Sequence, residues 1–213
     1  MTLPVRTRIT STQLRRAVDV LRSGGLVIYP TESSYALGAN ATSESAIRRV
    51  YQAKGRDFKN PIPVIVADIR MWSRYAYLNR KAKRLIRDFM PGPLTIALKK
   101  RSSIPHLLNP YAIAARIPRQ NCARKLVKAA GFPITSTSAN ISGQPAANSV
   151  RMLPKSLRSY VDVFLDVGTL PRRKPSTIVD MVDLNNPIIT REGAISGELV
   201  LQKLRRRVGV SRQ

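Results

Sequence analysis

The chain has 213 residues, and 43% of them are hydrophobic, which is enough for one packed domain and excludes a disordered polypeptide. No run approaches the ~18–20 apolar residues that span a bilayer, and the first residues lack the apolar segment of a secretory signal, so we expect a cytoplasmic protein without membrane contacts. The 37 Lys and Arg residues against 12 acids give a net charge of +25, with 14 cations and a single acid in residues 71–140, a surplus that attracts polyanions unless it reflects a basic proteome.

Hydrophobic periodicity, capping residues and chain breakers predict alternating helices and strands. In chain order, we predict a helix over 10–24, a strand over 26–30, a helix over 43–55, a strand over 61–68, a helix over 79–90, strands over 94–100 and 111–117, a helix over 119–131, strands over 132–138, 161–166, 176–182 and 187–192, and a helix over about 196–207. This order is typical of an α/β fold with a twisted, open, mixed or parallel sheet covered by helices. We expect one domain over 8–208, with flexible termini at 1–7 and 209–213.

The sequence lacks the signatures of several enzyme classes. It contains neither a P-loop motif nor a GxGxxG dinucleotide fingerprint. His106 and Cys122 are the only residues of their types, and we expect an ordinary loop residue and a packing residue, respectively. Glu32 stands nearly alone, so no carboxylate pair for acid–base chemistry is predicted. The remaining cations, hydroxyls and amides suit the binding of anions without a protein nucleophile.

One group of cations follows the second predicted helix, in the segment YQAKGRDFKNP. Lys54 lies in the last turn, before the helix-breaking Gly55. If the chain continues in an extended conformation, Lys54 and Arg56 point to the same side, and Lys59 adds a third charge nearby. The segment is therefore either an anion-binding group or a solvated basic helix end, which the helix dipole also favours.

The segment PITSTSANISG places hydroxyls and an amide where a predicted strand leaves the core. In an extended chain, Ser136, Ser138 and Asn140 share one face, and the alternate residues line the other. Ligands of open α/β sheets bind beyond the carboxyl ends of the strands. The pattern is equally compatible with a small polar ligand site and with a Ser/Thr-rich edge strand.

Similar polar positions follow other predicted strands. Thr31 and Ser33 come directly after the strand over 26–30, where they form either a site or a turn. Arg116 ends an otherwise apolar strand, and a buried arginine must be paired or meet an anion. Ser176 and Arg191 lie in the same kind of setting, in KPSTIVDM and ITREGAIS.

Seven motifs occurring in order resemble the YrdC-like threonylcarbamoyl-AMP synthases over roughly residues 10–200, in their short, single-domain form. The motifs are PTESSYALGANA, the run from QAKGR to NPIPVIV, PGPLTIAL, AARIP, STSANISGQPA, PSTIVD and REGAIS. The resemblance implies a basic concave cleft and a nucleotidyltransferase that makes threonylcarbamoyl-AMP and pyrophosphate from L-threonine, bicarbonate and ATP. A separate transferase complex would then modify adenosine 37 of tRNAs reading ANN codons.

The resemblance also implies roles for individual residues. The catalytic KxR…SxN signature falls on Lys54, Arg56, Ser138 and Asn140. Threonine contacts fall on Thr31 or Ser33, Arg56, Arg116, Ser136 and Ser176, and ATP contacts fall on Lys59, Ser138, Asn140 and Arg191. We expect Mg2+ to bind mainly through the ATP phosphates, with no metal ligands from protein side chains. The assignment requires Lys54 to lie within ~15 Å of Ser138, the reach of one bound molecule.

The chain departs from the family pattern at several positions. Ala36 replaces the first glycine of YGLG, which is unfavourable if that position needs a positive φ. Ser33 replaces a threonine, Ala146 replaces a frequent serine, and the apolar run Val64–Val66 replaces a strand that often ends in a polar residue. The change to Ala146 would remove one contact with the nucleotide. The apolar run would leave the binding of threonine to fewer side chains.

Two other functions remain open from the sequence. The basic stretch over 71–140 would suit a module that binds structured RNA through phosphates, without catalysis. A related enzyme could instead form a carbamoyl adenylate from carbamoyl phosphate. Dependence on L-threonine or on carbamoyl phosphate distinguishes the three possibilities.

Overall fold

The computed structural model describes residues 8–205, which form helices and strands in alternation. The helices are α1 (Ser11–Arg22), α2 (Glu44–Lys54), α3 (Ile69–Ser73), α4 (Arg80–Phe89), α5 (Asn121–Ala130), α6 (Lys155–Arg158) and α7 (Gly197–Arg205), with a 3-10 helix at Val150–Met152. The strands are β1 (Val27–Pro30), β2 (Tyr35–Gly38), β3 (Val64–Ile65), β4 (Leu94–Lys99), β5 (Ala112–Arg116), β6 (Ile134–Thr135), β7 (Thr137–Ser138), β8 (Val163–Phe164), β9 (Thr177–Asp180) and β10 (Ile188–Arg191).

The strands form two mixed sheets. The smaller sheet has the order β7-β2-β1-β8 and the larger one has the order β10-β9-β4-β5-β3-β6. The pairs β1–β8, β4–β9 and β3–β5 are parallel, and the other pairs are antiparallel. The predicted α/β class with an open mixed sheet and helices is confirmed, although the strands divide between two sheets.

Local capping explains why several predicted helix ends are correct. Thr10 and Gln13 form a capping box at the start of α1, and Ser43 accepts the N–H of Ala46 at the start of α2. Gly55 ends α2 with φ 56°, a left-handed conformation that glycine adopts without strain.

Three elements differ from the prediction. The predicted strand over 132–138 is broken at Ser136, whose N–H binds the carbonyl of Pro63, so that β6 and β7 join different sheets. The strand predicted over 61–68 is limited to β3, because Pro61 and Pro63 lack a backbone donor. The segment after β1 turns back and forms the antiparallel strand β2. This strand was not predicted, because a run of polar residues precedes Tyr35.

Buried aromatic side chains fix the sheets in the core. Tyr29, Tyr35, Tyr51 and Trp72 are among the largest fully buried side chains. The hydroxyl of Tyr29 donates to the carbonyl oxygen of Thr135 at 2.9 Å, which links β1 to β6. No helix within residues 8–205 is long and apolar enough to cross a membrane. The predicted flexible termini at 1–7 and 209–213 and the predicted end of the last helix lie outside the described residues.

Candidate active site

A cavity of about 390 Å³ lies where several strand ends of both sheets meet. Its wall is built from the turn between β1 and β2, the segments after α2 and before β3, the ends of β4, β5 and β10, the β6–β7 junction and two long loops. The lining residues are Thr31, Ser33, Ser34, Ala36, Arg56, Pro63, Val64, Thr95, Arg116, Ser136, Thr137, Ser138, Gln144, Ala146, Arg173, Pro175, Ser176 and Arg191. These side chains include four arginines and no carboxylate.

Most of the predicted site residues meet in this cavity. Those that line it are Thr31, Ser33, Arg56, Arg116, Ser136, Ser138, Ser176 and Arg191. Lys54, Lys59 and Asn140 are not lining residues, so their predicted contacts with substrates stay predictions. Lys59 is exposed, and its backbone N–H binds the Asp57 carboxylate at 2.8 Å.

Lys54 lies behind the cavity wall and is only 1% exposed. Its ammonium donates to the carbonyl oxygens of Ser138 and Asn140 at 2.6 and 2.7 Å and to the side-chain oxygen of Asn140 at 3.0 Å. The required proximity to Ser138 is therefore satisfied. Burial, aided by the charge of Arg56, lowers the pKa of Lys54 from 10.5 to about 8.

The chain between Lys54 and Arg56 is not extended, because Gly55 adopts a left-handed conformation, so the condition behind their expected common side is not met. Arg56 is half-buried in the cavity wall. Its guanidinium donates to the carbonyl oxygens of Asn60 and Pro61 at 3.0 and 3.1 Å. These bonds hold the arginine against its own loop and leave part of its fork for an anion.

Asn140 is buried, and both ends of its side-chain amide are hydrogen-bonded within the protein. Its side-chain oxygen accepts from the hydroxyl of Ser138 at 2.6 Å as well as from Lys54, and its amide nitrogen donates to the carbonyl of Gln144. Ser136 and Ser138 line the cavity, whereas Asn140 positions both the serine and the following loop. The predicted single face is thus split into two cavity-lining hydroxyls and one structural amide.

The partner of the buried Arg116 is Glu32, which the sequence analysis left without a role. The guanidinium and carboxylate lie 2.7 Å apart, with side-chain exposures of only 10% and 14%. Glu32 also accepts the backbone N–H groups of Arg119 and Gln120. Burial by itself raises the pKa of Glu32, but the charge and hydrogen bonds of Arg116 and the backbone outweigh it and hold this pKa below 4.5. The requirement that a buried arginine be paired was the signal that could have identified this acid.

Ser176 and Arg191 form a second hydrogen-bonded pair in the cavity wall. Arg191 donates to the carbonyl and hydroxyl oxygens of Ser176 at 3.0 and 2.9 Å. The same hydroxyl lies 2.8 Å from the hydroxyl of Thr95, a lining residue that the sequence analysis missed. Burial, together with the charge of Arg116, lowers the pKa of Arg191.

The departures from the family pattern lie in or beside the cavity. Ala36 is extended in β2, and the described residues include no non-glycine residue with positive φ, so alanine is unstrained there. Ala146 and Val64 present apolar groups to the cavity. His106 is exposed and lies outside the cavity lining, and half-buried Cys122 packs against the core, where burial raises its pKa to about 12.

Comparisons with known proteins identify the family. The profile of the Sua5/YciO/YrdC family, which carries the description "Telomere recombination", matches residues 19–193. A protein of Methanocaldococcus jannaschii, provisionally named threonylcarbamoyl-AMP synthase, is 40% identical over 184 residues, covering 86% of this chain and 85% of the relative. The threonylcarbamoyl-AMP synthase of Pyrococcus abyssi is 34% identical over 194 residues, covering 90% of this chain and 57% of the relative.

A solved structure is also similar over most of the chain. The crystal structure of Pyrococcus abyssi Sua5 complexed with L-threonine matches with a TM-score of 0.87 and 33% sequence identity, covering 93% of this chain and 59% of that chain. The chain therefore spans less than two thirds of the length of the Pyrococcus abyssi protein.

Proposed function

Because the chain belongs to the Sua5/YciO/YrdC family, we propose that it is a threonylcarbamoyl-AMP synthase, a nucleotidyltransferase that uses L-threonine, bicarbonate and ATP. The observation that carries the proposal is the convergence of Arg56, Arg116, Ser138 and Arg191, from four distant segments, in one cavity. A cavity with guanidinium and hydroxyl donors and no lining carboxylate suits substrates that all carry negative charge.

The proposed chemistry forms two bonds without a covalent enzyme intermediate. The threonine amine attacks the bicarbonate carbon, which gives the N-carboxy compound and water. An oxygen of this carbamate then attacks the α-phosphorus of ATP, and the bond to the β-phosphate oxygen breaks to release pyrophosphate. Both steps depend on alignment of the reactants and neutralisation of charge, which binding groups alone can provide.

The threonine would bind in the deeper part of the cavity. Arg116 is 8% exposed there, and its pairing with Glu32 holds the guanidinium in place for the substrate carboxylate. The neighbouring hydroxyls of Ser33, Ser136 and Ser176 would serve the amine and the threonine hydroxyl. Thr31 donates its own hydroxyl to the carbonyl of Ser34 at 2.7 Å and accepts the backbone N–H groups of Ser33 and Ser34, so it would act by holding this turn in place.

The nucleotide would bind along the serine and arginine side of the cavity. Ser138, Arg56 and Arg191 are the proposed contacts for its phosphates, and Lys59 would add a contact from outside the lining. The lining offers Mg2+ hydroxyl oxygens but no carboxylate, and residues 8–205 contain no metal-binding cluster of His, Cys, Asp and Glu. We therefore expect Mg2+ to arrive bound to the ATP phosphates, where it would neutralise charge on pyrophosphate.

Lys54 and Asn140 would act through the residues that they hold. All three ammonium N–H groups can be satisfied by the oxygens of Ser138 and Asn140, so Lys54 fixes the backbone that carries the Ser138 hydroxyl. We therefore favour a positioning role for Lys54 over a direct contact with a substrate.

Pyrophosphate release tests the function directly. The purified protein should release pyrophosphate from ATP and bicarbonate only when L-threonine is added, and mass spectrometry should detect threonylcarbamoyl-AMP. Release that requires carbamoyl phosphate instead of L-threonine and bicarbonate would identify the alternative carbamoyl-adenylate chemistry. Arg56→Ala and Arg116→Ala should abolish the threonine-dependent release, with circular dichroism as the folding control.

The adenylate is a reactive product that needs an acceptor. We propose that a separate cytoplasmic transferase complex receives it and modifies adenosine 37 of tRNAs that read ANN codons. A reconstituted mixture with such a complex should incorporate labelled threonine into tRNA only when this protein is present.

Direct RNA contact is proposed for a different surface, the open groove that holds Lys99, Lys100, Arg101, His106 and Tyr111. Tyr111 is 75% exposed, and cations beside an exposed aromatic ring suit the binding of unpaired bases. Tyr111→Ala should weaken binding of a single-stranded RNA, whereas Tyr160→Ala, at another exposed tyrosine, should not. Equal binding by both variants would indicate nonspecific attraction by the net charge.

A further inference from the structure

The four arginines of the cavity differ in whether their guanidinium groups are hydrogen-bonded or ion-paired within the protein. Arg56 donates to two carbonyl oxygens of its loop, Arg116 pairs with Glu32, and Arg191 donates to Ser176. For Arg173, the described part of the chain provides no hydrogen-bond or ion-pair partner. Arg173 is therefore the cavity arginine whose donors are all available to a ligand.

The backbone around Arg173 is fixed although its side chain is free. Residues 171–175 are exposed and contain no helix or strand. Pro175 anchors the segment because its carbonyl oxygen accepts the N–H of Ala194 at 2.8 Å. Gly193 permits this approach, since a Cβ there would lie 2.3 Å from the same carbonyl oxygen. The anchor lies only two residues from Arg173, so it holds the backbone of Arg173 beside the cavity that its side chain lines.

Arg173 lies on the same wall as Arg191. Arg191 is bonded to Ser176, which follows Pro175 directly. Two guanidinium groups that line one cavity can bind one anion that carries several charges. A triphosphate has several charges and many acceptor oxygens, so it suits this pair of arginines better than a single carboxylate does.

The arginines lie at different depths in the cavity, which favours separate positions for L-threonine and ATP. Arg116 is buried and paired at the inner end, where the threonine carboxylate is proposed to bind. Arg173 is exposed at the mouth, where the outer phosphates of a nucleotide would remain partly solvated. We propose that Arg173 binds the β- and γ-phosphates of ATP and the pyrophosphate product; this inference rests on the proposed function.

Arg172 provides a matched control for this assignment. It has the same charge, neighbours Arg173 in the same exposed segment, and is not a lining residue. Calorimetric titration with ATP and Mg2+, without threonine, should show ~10-fold weaker binding for Arg173→Ala and partial recovery for Arg173→Lys. Arg172→Ala should bind ATP as the wild type does, within about twofold.

Kinetics and product binding complete the test. Arg173→Ala should raise the KM for ATP ~10-fold and weaken pyrophosphate inhibition, with the KM for L-threonine changed less than twofold. Unchanged ATP binding, an equal loss in Arg172→Ala, or a selective rise in the threonine KM would each overturn the assignment. A wild-type protein that binds ATP but shows no threonine-dependent release would refute the proposed function, while the calorimetric comparison would still decide the role of Arg173.

Discussion

The ammonium of Lys54 lies 2.7 Å from the carbonyl oxygen of Asn140 and 3.0 Å from its side-chain oxygen, although the residues are 86 positions apart. The carbonyl of Lys54 in turn accepts the N–H of Ser142 at 2.9 Å. The end of α2 and the loop after β7 are therefore joined by both side-chain and backbone hydrogen bonds. This double connection explains how a lysine outside the cavity lining can control the position of Ser138.

Lys54→Met should impair both stability and activity. Methionine fills a similar volume but removes three hydrogen bonds that Lys54 makes to Ser138 and Asn140, which should lower the free energy of unfolding by about 3 kcal/mol. Threonine-dependent pyrophosphate release should fall at least ~100-fold, since misplacement of a binding group by 1 Å has effects of that size.

Lys128→Met is the matched control, because Lys128 also lies in the last turn of a helix but is exposed. Urea denaturation should give the wild-type free energy of unfolding for this control. A Lys54→Met variant with wild-type turnover would show that the lysine is not needed to position the site.

The lowered pKa of Lys54 predicts a pH dependence of stability. Between pH 8 and 10.5 the unfolded lysine binds more protons than the folded one, so this residue makes the free energy of unfolding rise with pH. The rise reaches about 3 kcal/mol if the full difference in pKa applies. The difference in unfolding free energy between wild type and Lys54→Met should therefore increase from pH 7.5 to pH 10, and a constant difference would contradict the shifted pKa.

The sequence was sufficient to predict the elements that depend on local signals. The caps at Thr10 and Ser43 and the glycine ends of α2 and α5 follow from residues within one turn of each boundary. The order of the motifs was likewise sufficient to identify most of the cavity-lining residues, because related sequences fold the same segments toward one cavity.

Long-range pairing explains what could not be predicted. The division of residues 132–138 between two sheets depends on β3, which pairs with the residues before Ser136, and on β2, which pairs with the residues after it. The burial of Lys54 depends on a loop that lies more than 80 residues later in the sequence. Hydrophobic periodicity predicts only which face of a helix or strand is buried. Neither the split of residues 132–138 nor the burial of Lys54 could therefore be predicted from residue spacing.

Glu32→Gln should weaken the binding of L-threonine. The substitution keeps the shape of the side chain but leaves the Arg116 guanidinium without its charged partner, so the arginine loses its fixed orientation. We expect a ~10-fold rise in the KM for L-threonine, with the KM for ATP nearly unchanged. Glu44→Gln, which removes an exposed ion pair with Arg48, should leave both constants unchanged. Tighter threonine binding by Glu32→Gln would mean that Glu32 competes with the substrate for Arg116.

The lowered pKa of Glu32 also gives an acid-stability prediction. Stability from the ion pair is fully present above the unfolded pKa near 4.5 and is lost as the pH falls through the lower folded pKa. Acid unfolding followed by circular dichroism should therefore begin at higher pH in Glu32→Gln than in the wild type. Coincident acid transitions would show that the pair contributes little to folding.

Exchange of glycine and alanine at either small residue of the YALG strand should destabilise the protein, for a different reason at each position. A Cβ at Gly38 would lie 2.7 Å from Cε1 of Tyr29 and 2.9 Å from Cγ2 of Ile134, so Gly38→Ala forces two buried side chains to move. We expect it to lower the free energy of unfolding by ~1–3 kcal/mol. Ala36→Gly, although it restores the usual family residue, should also destabilise by ~0.5–1 kcal/mol, because position 36 is extended and glycine only adds freedom to the unfolded chain. Thermal denaturation of both variants measures the two losses, and a more stable Ala36→Gly protein would show that alanine strains β2.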